Sequence, residues 1–123
     1  MAAAEFLMIF GRMLIGGIFV VAGVRHLFIL PTVTAPMAAR GIPRPGQVLI
    51  TGSIFEAFAG LMVIFGFYAG WVALGLVAFT LIASWIILDF WNKDGFAREG
   101  AINGWIANIG VVGGLLIVAA QGF

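Results

Sequence analysis

The 123-residue chain is 63% hydrophobic and only 9% charged, with twelve Phe, four Trp and eighteen Gly, whereas ordinary soluble domains carry roughly 25% charged residues. A soluble domain of this size has too much surface for its volume to hide so many apolar side chains, which excludes a water-soluble globule and places the chain in a lipid bilayer. A formal charge of +1 without a basic cluster gives no reason to expect nucleic acid as a partner, and the absence of Cys excludes disulfides, thiol nucleophiles, iron–sulfur ligation and thiolate metal sites.

Four apolar stretches follow one another at about 6–29, 47–67, 70–91 and 102–121. Each approaches the ~20 residues that a helix needs to cross ~30 Å of hydrocarbon. Backbone groups in lipid must find partners within their own segment, so the expected fold is all-α, an integral membrane bundle of four antiparallel helices forming a single transmembrane domain over residues 1–123. The first stretch is read as a retained span. It is preceded by Glu5 instead of Lys or Arg, and it exceeds the 7–15-residue apolar region of a signal peptide.

The first connection holds all four prolines (Pro31, Pro36, Pro43, Pro45), and its middle, Val33 to Ala39, can form a short interfacial helix. The second connection, Gly66 to Gly70, is short enough to force an antiparallel hairpin. The third runs through Asn92, Lys93, Asp94, Gly95, Arg98, Glu99 and Gly100. An even number of spans puts both termini on one side. Arg25, Arg40, Arg44, Lys93 and Arg98 all lie with the first and third connections, which the positive-inside rule assigns to the cytoplasm of a plasma membrane. Gly16, Gly17, Gly23, Gly52, Gly60, Gly75, Gly110, Gly113 and Gly114 supply small positions where helices can approach closely.

Charges within hydrocarbon are costly and normally face the bundle interior in pairs. Arg12 and Glu56 are the candidates here, and the simplest expectation is an Arg12–Glu56 ion pair. It can serve as an anchoring or proton-handling site for a polar or quinone-like ligand, or as a purely structural pair that fixes helix orientation, with Arg12 alternatively snorkelling to the headgroups. Thr80 and Asn108 lie at comparable depth and can hydrogen-bond to Glu56 or to each other, with Ser84, Ser53 and Thr51 extending the layer. Near the opposite face, Asp89 can pair with His26 or Arg25, and Trp71, Trp91 and Trp105 lie near the predicted membrane boundaries as an aromatic belt. Trp85 is expected to pack within the bundle. A lone His without Cys gives no metal site, so no metal is expected.

These residues resemble the DoxX family of small four-helix membrane proteins. The likeness is carried by Arg12, Gly16, Phe19, Ala22-Gly23 and His26 in the first helix and by Gly41-Ile42-Pro43 in the first connection. It continues with Glu56, Gly60 and Gly66 in the second helix, Phe90-Trp91 after the third, and Asn108, Gly110 and Gly113-Gly114 in the fourth. Members often have His where this chain has Leu88, and Lys where it has Ala107. Some members are linked to a quinone oxidoreductase of the thiosulfate type, others to oxidative-stress complexes. The resemblance therefore implies an accessory or anchoring membrane subunit of a quinone-linked redox complex, with a membrane protein or further copies of itself as partner. The alternatives are a stand-alone protein binding quinone or another small lipophile, and a transporter component. Whether the chain is itself an enzyme does not follow from the sequence.

Overall fold

Apolar runs in lipid have to satisfy their own backbone groups, and these do so as helices. The computed structural model describes residues 2–122. Among them the chain forms five α-helices: α1 (Ala3–Phe28), α2 (Leu30–Ala39), α3 (Pro45–Phe65), α4 (Ala69–Ile87) and α5 (Gly95–Gly122), with a 3-10 turn at Phe90–Asn92. Helices α1, α3, α4 and α5 are each long and apolar enough to cross a membrane. Both ends of the chain therefore lie on one side of the bilayer.

Three boundaries differ from the sequence reading, the first being that of α4, which stops at Ile87 and not near residue 91. The short helix expected in the first connection is present as α2, and it takes in two prolines. Pro31 falls in the first turn, where the missing N–H has no intrahelical partner to lose, and Thr34 Oγ1 donates to the Leu30 carbonyl at 2.8 Å. Helix α5 starts at Gly95, well before the apolar run. Its first turns carry Arg98 and Glu99 on exposed positions, and Phe96 is 98% exposed. Polarity marks where a helix leaves the lipid and not where it ends, and no proline interrupts this segment.

The helices associate as two antiparallel pairs, α1 with α3 and α4 with α5. The α1–α3 seam is built on small residues. A Cβ added at Gly16 would lie 2.5 Å from the Gly60 carbonyl oxygen, one added at Gly60 equally close to that of Gly16, and one at Gly23 2.5 Å from that of Ser53. Backbones at this separation gain dispersion contacts that lipid cannot offer to a bulkier surface. Gly17, Gly110 and Gly113, grouped with these in the sequence reading, have open space around them. Phe19, Ala59, Val63, Ala73, Leu76 and Leu115 form the buried centre where the two pairs meet.

The α3–α4 connection closes as expected. Gly66 adopts φ +72°, and the Phe67 N–H donates to the Met62 carbonyl at 2.8 Å, the αL ending that a glycine allows. Yet α3 and α4 share less contact than either principal pair. The rings of Phe55 and Phe79, 5.6 Å apart, wedge between them, standing over Gly75 and Gly52. The cleft is divided into a cavity of about 620 Å³ toward the first and third connections and one of about 360 Å³ toward the termini.

The seam gives a direct test. Gly16→Leu should destabilise the protein by about 2 kcal/mol or more through overpacking, whereas Gly17→Ala should leave stability unchanged or slightly raised. Thermal unfolding of both variants in mild detergent measures the difference.

Candidate functional site: the His26–Glu56 cavity

The glycine contacts set the register of α1 against α3. Gly23 meets the turn at Ser53 and Ala57, and Gly60 meets Val20, so Glu56 lies level with residues 20–23 of α1. Helical side chains lean toward the N-terminus of their own helix. In an antiparallel pair, Glu56 therefore leans toward the connection side, where His26 is, and His26 leans back toward Glu56. The two meet: His26 Nδ1 and Glu56 Oε2 are 3.0 Å apart.

The same geometry overturns the expected Arg12–Glu56 ion pair. Arg12 lies about 12 Å or more along the seam at 1.5 Å per residue, and both side chains lean away from each other. Its guanidinium rests instead against Gly66 at the end of α3, where an added Cβ would be 2.7 Å from Nη1.

The Glu56 side chain is only 6% exposed, and that of His26 is 31% exposed. Both line the 620 Å³ cavity. Its other walls are Val48, Leu49 and Gly52 of α3, Phe79, Ile82, Ile86 and Ile87 of α4, and Val33 and Met37 of α2, with Gln47 and Thr51 adding polar atoms. Val48, Thr51 and Ile82 are also exposed on the outer surface, so the cavity opens sideways into the hydrocarbon between α3 and α4. An apolar chamber of this size with a few convergent polar groups is the usual form of a small-molecule site. With Nδ1 engaged by Glu56, Nε2 is the ring nitrogen left to a ligand. Nε2 donates when the imidazole is protonated and accepts when it is neutral.

Helix α2 roofs the cavity, and Arg40 holds it there. Arg40 Nη1 donates to the carbonyls of Trp85 and Ile86 at 2.7 and 2.8 Å. These belong to the last turn of α4, whose carbonyls lose their helical partners where the helix stops. Arg40 also stands over the rings of Trp85 and Trp91 at 4.7 and 5.6 Å and 3.5 Å from Asp89 Oδ2. Asp89 is buried and further engaged by Lys93 at 3.1 Å and Asn92 at 3.1 Å.

The expected pairing of Asp89 with His26 or Arg25 is therefore corrected. Asp89 is taken by Arg40 and Lys93, and Arg25 is exposed. Trp85, expected to pack inside, is 55% exposed and serves as a platform for Arg40. Trp105, assigned to the aromatic belt, donates through Nε1 to the Leu88 carbonyl at 2.6 Å. Thr80 and Asn108 do not reach Glu56 either. Asn108 Nδ2 donates to Ser84 Oγ at 2.8 Å, and Ser84 Oγ donates to the Thr80 carbonyl at 2.7 Å. That chain ties α5 to α4. The Thr80 hydroxyl has no hydrogen-bond partner among the described residues.

The arrangement can now be set beside known proteins. The DoxX family model matches residues 7–89, a stretch that contains His26, Glu56, Arg40 and Asp89. The chain belongs to the DoxX family. This DoxX protein is also 26% identical over 122 residues to the inner membrane protein YphA of Escherichia coli (strain K12), covering 98% of this chain and 86% of that one. No solved structure matches it. Family and spans agree with a multi-pass protein of the inner membrane. Leu88 and Ala107, the positions at which the resemblance implied a different residue, do not line the cavity. Leu88 packs on Gly104, and Ala107 is exposed.

Arg40 was legible only as a loop cation, and neither its carbonyl partners nor the roof it secures could be located from spacing. Arg40→Ala should cost about 2 kcal/mol, because it strands carbonyls at the end of α4 and removes a charge partner of buried Asp89. Arg40→Lys should recover only part of this, since a single ammonium cannot reproduce the planar fork. Thermal melts of the two variants in detergent check the order.

Proposed function

We propose that this DoxX protein holds a quinone-like lipophile in the His26–Glu56 cavity, acting as the ligand-binding membrane subunit of a redox complex. The observation that carries the reading is the placement of a hydrogen-bonded imidazole–carboxylate pair in an otherwise apolar chamber open to the hydrocarbon. A lipophile diffusing in the bilayer can enter between α3 and α4 without crossing water. Its apolar body replaces lipid against Val48, Ile82 and Ile86, and its polar head reaches His26.

The chemistry of the pair suits a head group that exists with carbonyl or hydroxyl oxygens. A carbonyl accepts a hydrogen bond, which protonated Nε2 supplies. A hydroxyl donates one, which neutral Nε2 accepts. Glu56, on Nδ1, supports both states by fixing the ring and stabilising the imidazolium. The role within a complex rests on the DoxX resemblance and on the small mass outside the membrane, since the chain offers little surface of its own for a soluble co-substrate.

Glu56→Gln should weaken binding of a short-chain ubiquinone in nanodiscs by about tenfold, because an amide supports the imidazolium less well. His26→Leu should weaken it further. Unchanged affinity in both variants sinks the assignment. Purification from native membranes in polymer discs should also bring down a larger redox subunit in fixed ratio, and a partner-free chain that retains lipophile would leave it a stand-alone binding protein.

A further inference from the structure

A further charged residue of the membrane region lies outside the cavity. Arg12 is half-buried, makes no ion pair among the described residues, and has its Nε fully buried without a hydrogen-bond partner. It lines a groove of about 300 Å³ between α1 and α5, walled by Leu7, Ile15, Ile117 and Val118, with Gln121 at the same end. Helices α1 and α5 touch over only a short stretch, which leaves the groove open along its length. Its polar end lies level with Gly66, followed by exposed Tyr68 at the end of the α3–α4 connection and exposed Trp71 in the first turn of α4. Exposed Tyr and Trp mark the depth of lipid headgroups.

A cation held at that depth with no carboxylate partner among the described residues calls for an anion. The apolar walls running inward from it require an acyl chain. We propose that the α1–α5 groove is a binding site for one anionic phospholipid, its phosphate on Arg12 and Gln121 and one acyl chain lying between Ile15 and Ile117. The guanidinium fork matches two phosphate oxygens, and the contact is charge-assisted on both sides. The lipid then fills the open seam between α1 and α5 and completes the bundle on its terminal side. This site is independent of the His26–Glu56 cavity.

The test is native mass spectrometry of the full chain in mild detergent supplied with phosphatidylglycerol and phosphatidylcholine of identical acyl chains. The parent should retain one phosphatidylglycerol about tenfold more strongly than phosphatidylcholine. Arg12→Gln should abolish the preference. Ile117→Trp, which keeps the cation but fills the groove, should lose the lipid as well. Equal retention of the two lipids by the parent overturns the proposal, as does unchanged retention in Arg12→Gln. If Ile117→Trp retains phosphatidylglycerol like the parent, Arg12 meets only bulk headgroups and the groove is no site. Displacement by millimolar inorganic phosphate would reduce the site to a phosphate contact without a lipid. Should Arg12→Gln fail to fold, the lipid comparison on the parent and the Ile117→Trp variant still decide.

Discussion

The close approach of α1 and α3 is the constraint from which the rest of the molecule follows. Gly16 against Gly60 and Gly23 against Ser53 leave no room for a Cβ, so the two helices can sit in one register and no other without parting. That register, combined with the lean of side chains toward each helix N-terminus, decides which charges meet. It brings His26 onto Glu56 and turns Arg12 the opposite way. A buried carboxylate without a partner would be costly in lipid. Here the partner is a residue that can give or take a proton, which turns a structural necessity into a chemical opportunity.

The second organising feature is the way α4 ends. The helix stops at Ile87 while the chain is still within the span, and its last carbonyls need donors. Arg40 supplies them from the far end of α2. One guanidinium thus finishes α4, partners Asp89 and fixes α2 over the cleft between α3 and α4. The cleft stays open because Phe55 and Phe79 hold the two helices apart. A cavity in a small bundle is therefore no packing failure. It follows from a wedge on one side and a tether on the other.

Much of this fold was legible in the sequence. The apolar runs located all four spans, prolines and glycines located the connections, and the smallest residues foretold a close helix seam. Pairings among polar residues were legible only in part: Asn108, Ser84 and Thr80 do join in one layer, but the partners of Glu56, Arg12 and Asp89 were not foreseen. Depth counting placed Glu56, Thr80 and Asn108 at comparable levels with Arg12 shallower but within reach, and depth says nothing about azimuth or lean. Glu56 faces α1, while Thr80, Ser84 and Asn108 belong to the α4–α5 interface. His26 was counted as interfacial because its backbone is near the end of α1, although its side chain reaches back along the seam. Arg40 shows a related limit: a cation in a Pro- and Gly-rich connection reads as solvated until the α4 carbonyls it serves are placed in space.

The central claim is that His26 couples Glu56 to a lipophilic ligand, and this chain allows it to be tested at a single atom pair because His26 is its only histidine. The measurement is solid-state nitrogen NMR of the protein labelled at histidine and reconstituted in bilayers, recorded before and after addition of a short-chain ubiquinone. The account predicts a single imidazole spin system, an Nδ1 signal that changes in Glu56→Gln, and an Nε2 signal that moves when the quinone is added. An Nε2 signal indifferent to quinone, in a protein whose Nδ1 still reports the Glu56 contact, would contradict it and leave the pair a structural bond alone.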